Sequence, residues 1–489
     1  MTFTDYVFNK SKDLKKIAVI NKEETSYSEI YRSIKHIVYI LQQINYSKTD
    51  SVLIVSENSL FFIKTYFGVI KNGNVCVPIN PAISEKDLVY IIKALNIKLI
   101  FCQEKYRSKI EKLIDENILL YSENDTSGDQ LQLILEPSVN IKEDTALIMF
   151  TSGSTSKPKG VMLTHYNLMY NTNSIIKYLN LTEKDRIEVV LPFYYCYGTS
   201  LLNTHFKCGG SLVINNRFMF PQTVIEHINK YNCTGFAGVP STYQILLRMT
   251  KLKDCKLPSL RYLTQAGGSL PETVISELCS VLENVHIYIM YGQTEATARL
   301  SYLPPNRIKD KLGSIGKGIP GTELMILDKK GVPVKAGEVG EIVAKGGNIM
   351  KGYFNDQDET KKVLRNGLLY TGDLALKDEE GYIFIVSREK NIIKCAGNRI
   401  SPKEVENIIA SIQQVVECAV IGVEDDILGE AIKAFVVLKK DCNVIDEKYI
   451  IHYCNDRLPK FKVPKQVEFL KMLPKNSSGK VIFKDLKCM

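Results

Sequence analysis

The chain has no uninterrupted run of ~20 apolar residues, so nothing in it resembles a membrane-spanning helix. Its most apolar stretch, residues 187–202, is broken by Glu188, Pro192 and Gly198. The N-terminal MTFTDYVFNKSKDLKK lacks an apolar core of signal-peptide length. Glycine and proline are few, at 30 and 17 of 489 residues, in a chain that is 45% hydrophobic and 24% charged. That balance excludes collagen-like, low-complexity and largely disordered classes. No CxxC pair occurs among the twelve cysteines, which leaves no zinc-type spacing. The expectation is a soluble, cytoplasmic protein with reduced thiols, no disulfides and no structural metal. At one domain per ~150 residues, the length allows two to four domains.

Charge is modest overall, 63 Lys and Arg against 54 Asp and Glu, but it is uneven. Residues 457–489 hold nine Lys or Arg and two acids, Glu468 and Asp485, a net of 9 − 2 = +7. This is either a solvated basic face or a surface that meets polyphosphate or an acidic partner. No nucleic-acid recognition module accompanies it.

In the first 120 residues, apolar strand-like runs (KIAVINKE, SVLIVSENS, VCVPIN, KLIFC) alternate with helical spacing (SYSEIYRSIKHIVYILQQ, SLFFIKTYFGVIKNG, SEKDLVYIIKALN). Strand, helix and strand at these lengths mean crossover units and a mainly parallel sheet. From 313 to 385 the texture changes to short β runs with Gly-rich turns, which reads as a small antiparallel unit or barrel. The last ~100 residues read as a separate α+β module. The predicted fold class is therefore α/β: a large N-terminal domain of mainly parallel sheets with a β-barrel-like unit, then a small C-terminal domain. The boundaries are 1–387, a hinge at 388–390 in SREKN, and 391–489.

The strongest local signal is TSGSTSKPKG, residues 151–160, directly after the apolar ALIMF. Small hydroxyl residues and glycine let backbone N–H groups approach an anion, and Lys157 and Lys159 add charge. The NTPase pattern G-x-x-x-x-G-K-[ST] is absent, also at Gly479-Lys480, which Val481 follows. Four further segments join this loop. YGQTEA (291–296) combines an aromatic ring, a close-approach glycine, a hydroxyl and a carboxylate able to hold Mg²⁺. LYTGDLA supplies Asp373, a carboxylate suited to a ribose diol. SREKNIIKCAGNRISPKEVE spans the domain boundary, and LPKNSSGKVIFKDL places Lys480 nine residues from the C-terminus.

In this order and spacing the five motifs resemble the adenylate-forming (AMP-binding) superfamily, which includes acyl- and aryl-CoA synthetases, nonribosomal adenylation domains and beetle luciferases. The resemblance runs from about residue 25 to 484. It implies that Thr151, Ser152, Gly153, Ser154, Thr155 and Lys159 cradle the ATP phosphates. By the same resemblance, Gly267, Gly268, Ser269 (AGGSLP) and Tyr291 sandwich adenine, while Asp373 and Arg388 hold the ribose. Thr294 would contact the α-phosphate, Glu295 bind Mg²⁺, and Lys480 reach the carboxylate and α-phosphate. Lys390 falls at the hinge position, and Lys394 and Gly397 on the segment used in the thioester step. Two positions depart from the pattern: Ser156 and Ser387 stand where the family usually has glycine. Neither removes a group that the chemistry needs. AGGSLP also looks like a carrier-protein phosphopantetheine site, but it lies deep in the large domain.

The implied reaction is AMP-forming. A carboxylate attacks the α-phosphate of ATP to give acyl-AMP and pyrophosphate, and a thiol then takes the acyl group. By the same resemblance the segment LPFYYCYGTSLLNTHF lines the acid pocket, and it has no Asp or Glu where amino-acid-activating members place an Asp to pair the amine. Its Tyr194, Tyr195, Tyr197 and Gly198 therefore imply a neutral fatty or aryl acid. The acceptor is read as coenzyme A, with a separate acidic acyl or peptidyl carrier protein as the alternative. A non-catalytic nucleotide-binding homologue is the remote third reading, opposed by the retained Lys480, Glu295 and Asp373.

Overall fold

The computed structural model describes residues 1–126, 138–151, 158–388, 392–395, 398–425, 428–439, 445–476, 479 and 481–489. The alternation read from the first 120 residues folds as anticipated, with one unexpected partition. Strands Ser51–Val55, Val75–Ile79, Leu99–Cys102 and Leu119–Ser122 pair in parallel within a seven-stranded sheet. Strand Ile17–Ile20 leaves them and pairs in parallel with Ser211–Ile214 in a nine-stranded sheet, with Val19 opposite Leu212. In that sheet the strands Arg186–Val189, Gly235–Gly238, Tyr262–Gln265 and His286–Tyr291 also run parallel.

Helices Tyr27–Gln43, Leu60–Lys71, His165–Leu179 and Cys196–Cys208 supply the main core with apolar residues of both sheets. Helix Leu60–Lys71 is apolar on nearly all sides, as burial among such neighbours requires. Helix Tyr27–Gln43 starts at Ser26, whose side chain caps Glu29 while Glu29 returns a bond to the Ser26 N–H. No helix among the described residues is long and apolar enough to cross a membrane.

The region read as a small β unit is an antiparallel sheet of Glu323–Leu327, Gly340–Lys345, Leu368–Lys377, Leu364–Arg365 and Ile383–Arg388. The C-terminal module has its own core between helices Pro402–Ala410 and Glu447–Asn455 and a second five-stranded sheet. Its long antiparallel pair, Val415–Asp425 with Gly429–Leu438, carries Gln466–Phe469 in parallel at one edge.

Gly198 marks a steric bottleneck near the start of helix Cys196–Cys208. A Cβ there would stand 2.0 Å from the Pro192 carbonyl oxygen, far inside contact distance. The chain can turn from Pro192 into the helix only if that position has no side chain. Gly198→Ala should therefore cost about 2–4 kcal/mol of stability, as overpacking against fixed backbone does. A urea titration followed by circular dichroism checks this; an unchanged midpoint would show that the turn relaxes freely.

Candidate active site

Two parallel strands of the nine-stranded sheet end at one place. Tyr262–Gln265 leads into Ala266, Gly267 and Gly268, and His286–Tyr291 leads into Gly292. Ligand crevices in such sheets open at the carboxyl ends of strands, and here a cavity of about 530 Å³ does so. Gly267, Gly268, Ser269, Tyr291, Asp373 and Arg388 line it from the large domain, and Lys403, Glu406, Glu417 and Gly479 from the C-terminal module.

Three of those residues form one bonded group. The Tyr291 hydroxyl donates to Asp373 Oδ2 at 2.7 Å, and Arg388 Nε donates to Oδ1 at 2.9 Å. Asp373 and Arg388 also face each other across strands Leu368–Lys377 and Ile383–Arg388. Burial, and then the Asp373 charge, push the Tyr291 hydroxyl well above its ordinary pKa, so it stays a donor. The Asp373 charge holds Arg388 firmly protonated. Gln265 fixes the neighbouring glycines, its amide donating to the Gly268 carbonyl at 2.8 Å.

A second group surrounds Glu295. The Tyr353 hydroxyl donates to Glu295 Oε1 at 2.8 Å, and the Lys159 ammonium lies 5.4 Å over the Tyr353 ring. Lys159 also pairs with Glu359, which Lys159 and Lys362 together hold down at about 2. Burial and Glu295 both raise the Tyr353 hydroxyl. The Glu295 carboxylate adds a smaller contribution to the charge that holds Arg388 protonated.

The backbone around Glu295 is tightly folded. Gly292 has no room for a side chain, because a Cβ would lie 2.0 Å from the Ala298 carbonyl oxygen. Thr297 sits at φ +65°, ψ −40°, and the Ala298 N–H reaches the Ala296 carbonyl at 2.7 Å, which is a γ-turn. This turn is rare and strained for a β-branched residue. Buried Asn348 holds it: the Asn348 carbonyl accepts from Thr297 Oγ1 at 2.7 Å, and its amide donates to the Arg299 carbonyl at 2.7 Å.

The structure thus brings Tyr291, Asp373, Arg388 and the 267–269 segment to one cavity; Thr294 and Glu295 follow its lining residues Tyr291 and Gly292 in the chain, and Lys159 meets Tyr353, the partner of Glu295. Thr151 and Lys159 lie opposite each other across the strand pair Thr145–Thr151 and Lys159–Thr164. Ser152, Gly153, Ser154, Thr155, Lys390, Gly397 and Lys480 lie outside the described residues. Gly479, immediately before Lys480, lines the cavity, and its carbonyl accepts from Ser241 Oγ at 3.2 Å. Lys394 lies on strand Ile393–Cys395 with an exposed side chain.

The tyrosines anticipated as an acyl wall divide. Tyr194 and Tyr195 are half-buried neighbours with ring centroids 5.0 Å apart. Tyr197 is buried, and its hydroxyl bonds the Thr264 carbonyl at 2.8 Å and Thr264 Oγ1 at 2.9 Å. Tyr353, Glu359, Asn348 and Ser241 were not singled out from sequence. Tyr353 reaches the site because Gly352–Tyr353 pairs with Val161 and Met162, a contact no local pattern announces.

Glu295 presents one carboxylate to this site, and no cluster of three or more His, Cys, Asp or Glu occurs among the described residues. That donor set fits Mg²⁺, which takes most of its ligands from phosphate oxygens and water.

Family models described as "AMP-binding enzyme" and "AMP-binding enzyme C-terminal domain" match residues 8–354 and 404–480. The chain is 30% identical over 504 residues to a long-chain-fatty-acid–CoA ligase of Bacillus subtilis (strain 168), covering 94% of this chain and 89% of that one. It is 32% identical over 463 residues to a feruloyl-CoA synthase of an Amycolatopsis species, covering 94% and 92%. Among solved structures it resembles ATP-bound MatB from Rhodopseudomonas palustris, with TM-score 0.90, 28% identity, and 100% and 98% of the two chains covered.

One group in the cavity wall yields a pH prediction. Glu406, on helix Pro402–Ala410, accepts the Val420 N–H at 3.0 Å, and burial pushes its carboxyl up to about 7. Raising a carboxyl above its unfolded value of ~4.3 makes the folded state favour the protonated form. That stability is present below about pH 4 and is lost as pH rises through about 7. Glu359, near 2, stays ionised throughout this window and adds no slope. Thermal midpoints from pH 5 to 8 should therefore fall less in Glu406→Gln than in the wild type. Parallel profiles would show that Glu406 is already solvated.

Proposed function

The chain belongs to the AMP-binding enzyme family, and from that premise we propose how its residues activate a carboxylic acid with ATP and pass it to a thiol. The reaction is ATP-dependent acid adenylation followed by thioester formation with coenzyme A. The observation that carries our assignment of roles is the bonded group of Tyr291, Asp373 and Arg388 on a cavity that Gly479 also lines.

The Tyr291 ring and the 267–269 backbone flank adenine. Asp373 accepts from the ribose hydroxyls through lone pairs left free by its two fixed donors. Both donors orient the carboxylate before nucleotide arrives, which lowers the reorganisation needed on binding. Thr151, Ser152, Gly153, Ser154, Thr155 and Lys159 take the β- and γ-phosphates, and Thr294 meets the α-phosphate. Glu295, steadied by Tyr353, would hold Mg²⁺, which neutralises phosphate charge as the α-phosphate is attacked.

Adenylation builds negative charge on the α-phosphate oxygens, and Lys480 supplies the mobile cation for it. The Ser241–Gly479 hydrogen bond supports this reading, since it keeps the residue before Lys480 at the nucleotide cavity. Thioester formation then requires Lys480 to leave and the segment with Lys394 and Gly397 to approach. The small domain turns about Lys390 to exchange them. The acid is a fatty or aryl carboxylic acid without an ammonium group, admitted beside Tyr194 and Tyr195.

Lys480→Ala should lower acyl-AMP and pyrophosphate formation by ~10²–10³-fold or more, the effect of removing a charge-stabilising donor. Thioester formation from supplied acyl-AMP should remain within a few-fold of the wild type. Pyrophosphate release and coenzyme A consumption, measured separately, check both halves. Equal loss in both would contradict a role confined to adenylation.

A further inference from the structure

The turn after strand Ser211–Ile214 exposes what a folded chain normally hides. Met219 is 89% exposed, more than any other large apolar side chain among the described residues, and Phe220 beside it is 64% exposed. Loose packing is not the reason. The Phe220 N–H donates to the Arg217 carbonyl at 2.8 Å, and the Arg217 N–H to Asn215 Oδ1 at 2.9 Å. Thr223 Oγ1 closes the other side, donating to the Phe220 carbonyl at 2.8 Å. Phe218 turns inward, against the core that holds Val224 and Ile228. The turn is thus fixed with two large apolar side chains outward, an arrangement that folding does not require.

A second exposed segment runs alongside. The Lys251 N–H donates to Gln222 Oε1 at 3.1 Å, and Met249, two residues earlier, is 54% exposed. Residues 215–222 carry one charge, Arg217, and residues 249–256 carry Lys251, Lys253, Lys256 and a single acid, Asp254. Lys253 is paired with Glu277, whereas Arg217, Lys251 and Lys256 are exposed. Three apolar side chains cannot supply the ~800 Å² per partner that a stable protein interface needs. An apolar tip ringed by Lys and Arg suits instead the headgroup boundary of an anionic bilayer. The position of the turn agrees. Its strand runs parallel with those that end at the nucleotide crevice, so both lie at the carboxyl edge of one sheet. Asn58 ties the turn to the acid side of that edge. Asn216 Nδ2 donates to the Asn58 carbonyl at 2.9 Å, and Asn58 Oδ1 accepts the Phe193 N–H at 2.7 Å, one residue before Tyr194.

Resting on the acid activation proposed above, we propose that residues 217–220 and 249–251 form a membrane-docking tip. Met219, Phe220 and Met249 enter the acyl boundary of an anionic bilayer, and Arg217 and Lys251 meet its headgroups. The acid is then a long-chain, water-insoluble one, taken from the bilayer on which the tip rests.

The test uses the full-length protein and vesicles of phosphatidylcholine, alone or with an equal part of phosphatidylglycerol. The wild type should sediment with the mixed vesicles, and less so as salt is raised. The double variant Met219→Ser, Phe220→Ser should bind them about tenfold more weakly. The chain contains no tryptophan, so Phe220→Trp gives a lone reporter whose emission should shift to the blue on the mixed vesicles. A wild type that stays in solution, an unshifted emission, or a serine variant that binds as well as the wild type overturns the proposal. So does a dimer that the serine variant loses, which would make the tip a contact between copies. With a long-chain acid dissolved in the vesicles, the serine variant should release pyrophosphate about tenfold more slowly than the wild type. With a short, soluble acid the two should match. Equal rates on the vesicle-borne acid would overturn delivery from the bilayer. Absence of wild-type turnover with every acid would instead sink the proposed reaction, while vesicle binding would still decide the docking tip.

Discussion

Everything at this site depends on one buried carboxylate held from two sides. Asp373 has a side chain only 8% exposed and accepts from both Tyr291 and Arg388. Removing a carboxylate from water is unfavourable unless donors replace the lost hydration, and these two donors do so. They come from different parts of the fold. Tyr291 ends a strand of the nine-stranded sheet, whereas Asp373 and Arg388 belong to the antiparallel sheet. One carboxylate therefore links the end of a strand in the nine-stranded sheet to two strands of the antiparallel sheet. The same three groups present a ring, an acceptor pair and a cation to one cavity, which is the chemistry a nucleoside requires.

A second constraint acts on the loop 292–298. Thr297 at positive φ stores strain next to Glu295, and Asn348 contacts that loop through both its backbone and its side chain. Strain persists where surrounding structure over-determines it. Here its effect is to fold residues 292–298 back on themselves, so that the Glu295 side chain meets Tyr353 beside Lys159. Glu295, Tyr353 and Lys159 then share one corner, while the C-terminal module packs on a core of its own.

Much of this was legible in the sequence because local rules and tertiary demands agreed. Helix Tyr27–Gln43 and its Ser26 cap, the alternating strands of the first 120 residues, and the antiparallel texture after 313 all follow from periodicity and turn chemistry. The motif residues Tyr291 and Asp373, 82 positions apart, do meet. What sequence could not give is long-range pairing. Nothing near Ile17–Ile20 announces that its neighbour is Ser211–Ile214 rather than Ser51–Val55. Tyr353 enters through a two-residue strand, and Arg299 looks like an ordinary surface arginine until its burial is known. The aromatic segment shows the same limit: three tyrosines within four positions look alike in sequence, yet Tyr197 turns inward to Thr264 while Tyr194 and Tyr195 remain half-exposed.

The chemistry claimed for this fold separates from other uses of ATP at a single bond, the one between the α- and β-phosphates. Isotope exchange between labelled pyrophosphate and ATP, run with a carboxylic acid and no thiol present, reads that bond directly. The proposed roles of Asp373 and Glu295 predict exchange that depends on the acid, proceeds without coenzyme A and yields AMP as the only nucleotide product once coenzyme A is added. Formation of ADP and phosphate, or exchange that appears only when a thiol is supplied, would contradict it.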